Sequence, residues 1–286
     1  MLQPHSVVDG DLPAVPVVGP GGVVGVPVRL GDLDGRRADV VRELAQWARE
    51  QKLPVTSDEE LVKFAHSCDY DPAAAKKCAK GFFAFRKQSP DMFSAWDTGL
   101  PNLRSILDVI AVAIMPRKTP ENYRVIVNSL QTGDTAKYVF ADVVRVLLML
   151  MESIFVTEPT VDGVVMVHDM SLACFGHFLK FGWSLPKKMG AYMQEALPLK
   201  QRTTHLVNCS GFVDKGLKLM SHVGDRDSWG RLHVHKGADV AELHQIVPPD
   251  CLPRELGGSL PGMRELHDRT VQRLAEFKDV FLSQTS

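Results

Sequence analysis

The segment at residues 163–167, GVVMV, contains no polar side chain. Successive side chains of an extended strand point to opposite faces, so a strand that is apolar throughout needs cover on both faces. Strands of this kind are typical of parallel sheets that lie between layers of helices. The segment therefore predicts an α/β fold with a buried central strand.

Strand-like and helix-like segments alternate on both sides of this strand, which favours a largely parallel sheet with flanking helices. Short apolar runs predict the other strands, at 123–127 (YRVIV), 204–208 (THLVN) and 231–235 (RLHVH). Apolar residues at helical spacing predict helices at about 137–155, 173–182, 186–196, 211–221, 238–246 and 263–282.

The first 98 residues follow a different pattern. Residues 1–35 mix valine with proline and glycine, which predicts a mostly flexible arm. The GPGG at 19–22 lacks the Lys-Ser/Thr of a phosphate-binding loop. Residues 36–98 are predicted to form a helical module, with a capping box at Ser57 and Glu60 and an N-cap at Asp71 before Pro72. We expect an α/β domain at 99–260 and a C-terminal helix within 261–286.

Composition excludes several classes of protein. The 33 Lys and Arg residues nearly balance the 34 Asp and Glu residues, so no bulk charge favours nucleic acid. The five cysteines are odd in number and form no CxxC, which argues against a disulfide framework and favours a reducing, cytoplasmic location. The apolar run at 143–151 is far shorter than the ~20 residues that a bilayer span requires.

Paired histidines raise the possibility of a metal site. His233 and His235 are two apart in a predicted strand and so share a face, and His244 and Cys251 follow them. The spacing does not bring a third ligand to the pair, so we expect packed, hydrogen-bonded histidines and no metal or other cofactor.

Two further segments invite an enzymatic interpretation. Ser210 follows a predicted strand, but the glycines of a nucleophile elbow are replaced by Asn208 and Phe212. His168 and Asp169 end the central strand, where active-site groups of α/β sheets gather, but neighbouring strand residues face opposite ways. We expect a turn residue at Asp169 and a pocket-facing polar side chain at His168.

Five segments in a fixed order resemble the CRAL-TRIO lipid-binding family, and within it the branch of tocopherol- and retinaldehyde-binding carriers. The similar segments are DEELVKFAHSCDYDPAAAKKCAKGFFAFR, DGVVMVHDM, PLKQRTTHLVN, RLHVHKG and LPRELGG, and the resemblance as a whole covers residues 40–283 or so. Leu172 and Leu256 depart from the glycine and tyrosine of the family pattern.

The resemblance implies a non-enzymatic protein with a cavity for one hydrophobic molecule between the sheet and its helices. Val164, Met166 and His168 share a strand face, and Leu147 and Met151 are four apart on the long helix, so both elements can line such a cavity. The expected ligand-binding residues are Leu147, Met151, Val164, Met166, His168, Phe175, Phe178, Leu199 and Leu206.

The resemblance also implies a movable helical gate and a basic cleft for a phosphoinositide headgroup. The expected gate residues are Phe212, Leu217, Leu219 and Met220. The expected headgroup residues are Arg86, Lys200, Arg202 and Arg231. A further lysine of the family's cleft falls on Asp227 in this sequence.

The leading hypothesis is a monomeric intracellular carrier of a tocopherol-, retinoid-, carotenoid- or phospholipid-like molecule that docks transiently on endosomal or other internal membranes. The alternative is a lipid-sensing protein that binds lipid and recruits a partner without transferring cargo. A hydrolase that uses His168, Asp169 or Ser210 is a third interpretation.

Overall fold

Seven strands and twelve helices lie within the described residues of the computed structural model, which are 12–19, 22–24, 28–55, 57–220, 229–237 and 240–283. The strands are β1 (Val17–Gly19), β2 (Gly22–Val24), β3 (Ile110–Ile114), β4 (Tyr123–Leu130), β5 (Gly163–Asp169), β6 (Gln201–Cys209) and β7 (Leu232–Lys236). The helices are α1 (Gly35–Glu50), α2 (Val62–Ser67), α3 (Pro72–Gln88), α4 (Pro90–Phe93), α5 (Pro101–Leu107), α6 (Phe140–Thr157), α7 (Phe175–Leu179), α8 (Ser184–Glu195), α9 (Val213–Met220), α10 (Ala241–Ile246), α11 (Met263–Glu276) and α12 (Lys278–Ser283).

The main sheet has five strands in the order β3-β4-β5-β6-β7. The β3–β4 pair is antiparallel and the other three pairs are parallel. This confirms the predicted α/β fold with a mostly parallel sheet. β3 was not predicted from the sequence, although its IAVAI residues are all buried.

Both faces of the central strand β5 are buried, as its apolar sequence predicts. Val164 and Met166 belong to the larger core, together with α6. Val165 and Val167 belong to a second core on the opposite face, which includes Leu243 of α10. The two cores leave no face of β5 for solvent at its N-terminal end.

The outer edge of β3 is closed by side chains of α11. The backbone N–H of Val112 donates to Nδ1 of His267 at 3.1 Å, and that of Ile114 donates to Oγ1 of Thr270 at 3.2 Å. The single helix predicted at 263–282 is in fact two helices, α11 and α12, that meet at Phe277.

The described part of the predicted flexible arm packs against the larger core. Leu12, Val15 and Val18 contact this core, and Arg273 of α11 donates to the carbonyl of Pro13 at 2.6 Å. Proline and glycine interrupt the spacing of the valines and prevent a regular helix, but the described valines still pack against the core. The flexible arm predicted at residues 1–35 includes positions 1–11, 20–21 and 25–27, which lie outside the described residues.

The helical module shows one confirmed cap and one that is wrong. Asp71 accepts a hydrogen bond from the backbone N–H of Ala74 at 2.7 Å and begins α3, with Pro72 in the first turn. Ser57 makes no side-chain cap, because the chain forms a tight 3-10 turn over Asp58–Leu61 before α2. The predicted capping box at Ser57 and Glu60 is therefore wrong.

Three histidines stack on the face of the sheet opposite α6. The His205 ring lies 4.9 Å from that of His233 and 5.2 Å from that of His235, and His205 Nδ1 lies 2.9 Å from His235 Nε2. Glu242 of α10 approaches His235 at 3.2 Å. Within the described ranges, no group of His, Cys, Asp or Glu side chains is arranged to hold a metal ion.

This histidine cluster should make stability depend on pH. Burial, reinforced by His233 and His235, lowers the pKa of His205 to about 4. The unfolded chain then binds a proton near pH 6.5 that the folded chain refuses, so stability is lost as pH falls from about 6.5 towards 4. We expect the thermal midpoint to fall over this range and to fall less in His205→Gln, as measured by circular dichroism. Identical pH profiles for both proteins would contradict this assignment.

Candidate functional site

A cavity of about 350 Å³ lies between the sheet and the helices that cover it. Its floor is a row of four residues that are paired across neighbouring strands: Val112 of β3, Asn128 of β4, His168 of β5 and Leu206 of β6. The strand register therefore places two polar side chains side by side in the middle of an apolar row.

The rest of the cavity lining is mostly apolar; the described residues that bring further polar atoms to it are Ser129, Tyr138, Asp169, His177 and Trp229. Tyr138 lies beside the cavity at the start of α6, and aromatic and aliphatic residues of α6, α7, α8 and α9 complete it. These helix-borne residues are Phe140, Val143, Leu147, Phe178, Met189 and Leu217. Phe181, Trp229 and Leu232 also line it. The arrangement suits an apolar ligand with a small polar end.

The polar pair in the floor is uncharged. His168 Nδ1 lies 2.8 Å from Asn128 Oδ1. Burial lowers the pKa of His168 to about 4, so its ring is neutral near pH 7. The Asn128 Nδ2 atom is buried and makes no hydrogen bond within the part of the chain that the structure describes.

The structure brings four of the nine predicted ligand-binding residues to this cavity: Leu147, His168, Phe178 and Leu206. Met151, Val164 and Met166 lie in the packed core instead. They occupy the predicted faces of α6 and β5, but at the end where helix and strand are in close contact. Leu199 borders the separate basic cleft, and Phe175 is exposed.

The predicted gate corresponds to α9. Leu217 reaches the cavity, and the Phe212 ring, just before the helix, lies 6.2 Å from that of Phe178. Gly216 allows α9 to approach, since a Cβ there would lie 2.6 Å from atoms of the Phe178 ring. The side chains of Leu219 and Met220, and residue Asp227, lie outside the described part of the structure.

A second, larger cleft of about 880 Å³ adjoins the cavity. It contains three of the four predicted headgroup residues, Lys200, Arg202 and Arg231, together with Lys77. Phe140, Phe181 and Met189 line both spaces. The Phe140 and Phe181 rings stack at 4.3 Å, so this aromatic pair stands between the cleft and the cavity.

The basic side chains of the cleft are held in different ways. Lys200 forms an ion pair with Asp69 at 2.5 Å. Arg202 donates twice to the carbonyl of Asp162 and lies over the ring of Tyr123. Arg231 makes no ion pair with any of the described residues. Glu195 is the one carboxylate among the described residues that line the cleft.

Arg86, the fourth predicted headgroup residue, is placed inside the core. It forms a buried ion pair with Glu152 of α6, and its guanidinium lies 4.4 Å from the centre of the Phe82 ring. Burial raises the pKa of Glu152, against the opposing effect of Arg86 and Lys63. Arg86 thus joins the helical module to α6 and faces away from the cleft.

The enzymatic interpretation gains no geometric support from its residues. Asp169 accepts hydrogen bonds from the backbone N–H of Ser171 and from Asn208 Nδ2, both at 2.9 Å, as a turn residue would. His168 pairs with Asn128 and not with Asp169. Ser210 precedes α9, where its carbonyl accepts from the N–H of Val213 at 3.0 Å, and it makes no hydrogen bond to a histidine among the described residues.

Several residues of the site were not identified from the sequence. Asn128 is the most consequential, because only the β4–β5 register reveals that it adjoins His168. Phe140, Phe181 and Met189 lie on three different segments, and their shared position between the two spaces is a tertiary feature. For Asn128, the sequence does contain one signal: residues two apart in a strand share a face, which places Asn128 on the same inward face as Ile126.

Comparison with known proteins gives a consistent result. The family model for the CRAL/TRIO domain matches residues 111–258. Clavesin-1 of Xenopus laevis is 22% identical over 207 residues, which are 72% of this chain and 62% of that protein. Clavesin-2 of Homo sapiens is 23% identical over 207 residues, 72% of this chain and 63% of that protein. The matched region thus spans less than two thirds of these relatives.

The fold also resembles a solved structure, the crystal structure of Sfh5. The TM-score is 0.50 at 13% sequence identity, over 82% of this chain and 92% of that chain. At this identity the similarity concerns the fold alone. None of the described helices is long and apolar enough to cross a membrane.

The position of Arg86 leads to a stability prediction. Arg86→Leu leaves Glu152 buried without its partner, and removing one member of a buried pair costs about 3 kcal/mol or more. The matched control is Arg49→Leu, whose exposed pair with Asp58 should contribute less than about 1 kcal/mol. Urea unfolding measures both. Equal effects of the two substitutions would show that Arg86 is a surface group after all.

Proposed function

Because this chain belongs to the CRAL/TRIO domain family, we propose that it binds one hydrophobic molecule in the cavity above the β3–β6 row and exchanges it at a membrane surface. The observation that carries the proposal is an apolar cavity placed where the strands β3 to β6 and the helices α6 to α9 meet. The packed core on the other face of the sheet stabilises the fold, so the fold does not require the cavity to be filled with side chains.

The size of the cavity favours a compact ligand. Its volume of about 350 Å³ is near the lower end of the range for small-molecule sites. A tocopherol-, retinoid- or other isoprenoid-like molecule suits this space better than a two-chain phospholipid or a full-length carotenoid, which are far larger. The hydrophobic contacts would come from Phe140, Val143, Leu147, Phe178 and Leu206.

The energetics of such a ligand favour exchange at a membrane. A molecule with about 500 Å² of apolar surface gains on the order of 12 kcal/mol on leaving water, at ~25 cal/mol per Å². Release into water is therefore negligible, whereas release into a bilayer carries little of this penalty. We propose that α9 opens as the gate when the protein contacts a membrane.

An exposed apolar surface next to the cavity supports membrane contact. Leu172, Phe175, Leu179 and Trp183 are 46%, 38%, 63% and 56% exposed. They lie on or beside α7, the helix whose Phe178 lines the cavity. Two exposed lysines, Lys180 and Lys187, are close to these residues in the sequence. Apolar and aromatic groups beside lysines suit the interface of an anionic bilayer.

We further propose that the basic cleft binds a phosphoinositide headgroup through Lys200, Arg202, Arg231 and Lys77. Four cations and a single described carboxylate line the cleft, which gives it a local positive charge in a chain of net charge −1. This local charge supports anion binding without a basic overall composition. Arg86 is no part of this proposal.

The carrier proposal is tested by filling the cavity. Purified protein should yield a stoichiometric lipid by extraction and mass spectrometry, and Leu147→Trp should remove most of it because the indole occupies the ligand's space. The control is Ile246→Trp on α10, an exposed residue away from the cavity. The carrier function is refuted if neither copurified lipid nor uptake of any isoprenoid is found in wild-type protein.

The headgroup proposal is tested by charge reversal. Lys200→Glu and Arg231→Glu should each weaken binding to phosphatidylcholine vesicles that contain phosphatidylinositol bisphosphate by about thirtyfold, because each reversal changes two charges at ~1 kcal/mol per charge near the surface. Lys87→Glu, an exposed lysine outside the cleft, is the control. Flotation or surface plasmon resonance measures binding. If all three variants weaken binding equally, the cleft is not the headgroup site.

A further inference from the structure

We infer that the cavity selects ligands with a hydroxyl group, and that the pair formed by Asn128 and His168 recognises that hydroxyl. The inference rests on the proposed lipid-binding function and specifies the chemical class of its ligand. It is carried by two polar side chains that lie next to each other in an otherwise apolar cavity floor.

The hydrogen-bonding capacity of the pair is incomplete in the structure. The Asn128 Nδ2 atom is buried without a partner, and His168 makes a single hydrogen bond to the described residues, through Nδ1. An unpaired buried donor costs about 1–3 kcal/mol, so a group that satisfies it gains affinity. Because both side chains line the cavity, the ligand is the group in position to do so.

The pair offers the ligand one donor and one acceptor. With Asn128 Oδ1 accepting, His168 Nδ1 carries the proton, so the neutral ring has a lone pair at Nε2. The free groups are then the Asn128 N–H and the His168 Nε2 lone pair. Rotation of the amide by half a turn exchanges the two roles, but one donor and one acceptor remain.

A hydroxyl is the smallest group that complements both. Its oxygen accepts from the donor while its O–H donates to the acceptor. An aldehyde, a ketone or an ether can only accept, and so leaves one buried group unpaired. A carboxylate brings a negative charge to a cavity that has no Lys or Arg among its described lining residues and that already borders Asp169.

The apolar neighbours of the pair sharpen the discrimination. Val112 and Leu206 flank it in the same row, and Leu147 and Val143 lie in the helical wall. These four side chains offer no hydrogen-bonding group. The other buried, unpaired ring nitrogens among the described lining residues, His177 Nε2 and Trp229 Nε1, belong to α7 and to the segment before β7 and not to this row. Recognition by this pair rejects analogues that lack the matching group, because the buried polar atoms of Asn128 and His168 are then left unpaired.

The experiment compares four probes of one carbon skeleton: farnesol, farnesal, farnesyl methyl ether and farnesoic acid. Dissociation constants are measured on the delipidated 286-residue chain at pH 7.5. We expect farnesol to bind about tenfold more tightly than the aldehyde and the ether, and the acid to bind more weakly than farnesol by at least that factor.

Variants assign the selectivity to the pair. Asn128→Leu and, independently, His168→Leu should reduce the ratio of the ether constant to the farnesol constant from about ten to about one. The matched control is Leu206→Met, a volume-conserving change in the same row, which should alter the four constants together and leave their ratios unchanged.

The possible outcomes separate this inference from the carrier function. If the four probes bind wild-type protein with equal constants, or if the acid binds best, hydroxyl selection is refuted and the carrier function stands. If no probe binds and no lipid copurifies, both are refuted. The wild-type ratios alone decide the inference should either leucine variant fail to fold.

Discussion

The burial of β5 on both faces is the constraint on which the rest of this structure depends. A strand with Val165 and Val167 on one face and Val164 and Met166 on the other must lie between two layers. The layer of α10 and α11 forms a dry core with one face. That core holds the sheet in place, so part of the other face can be hollow without loss of the fold.

Packed core gives way to cavity towards the C-terminal end of β5 and the N-terminal end of α6. Val164 and Met166 lie against the body of α6, whereas His168, one pleat further, borders the cavity. On α6 the order is reversed: Met151 is packed, Leu147 is at the boundary, and Val143 and Phe140 line the space. Helix and strand diverge at the carboxyl end of the sheet, where ligands of open α/β folds bind.

Local periodicity made the elements predictable, and tertiary register limited the prediction of the site. The apolar runs of β5 and α6 determined which faces are inward, and Asp71 determined where α3 begins. Periodicity shows which faces of α6 and β5 point inward, but it does not show where along their length the helix and the strand stop touching. Met151 and Met166 were therefore predicted to line the cavity, although the cavity is lined by the next inward residues, Leu147 and His168. Asn128 acquires its role only from the pairing of β4 with β5. Arg86, taken from a motif position, pairs with a carboxylate 66 residues away.

The three side chains shared by cleft and cavity give the proposed function a physical basis for coupling. Phe140, Phe181 and Met189 line both spaces, and the Phe140 and Phe181 rings stack at 4.3 Å, so a displacement of this pair would change both spaces. If an anion in the cleft changes the position of this wall, it changes the affinity of the cavity for its ligand. Thermodynamic linkage then requires the loaded and empty forms to differ in headgroup affinity by the same factor. A carrier built this way would distinguish delivery from retrieval by its own occupancy, without any second binding protein.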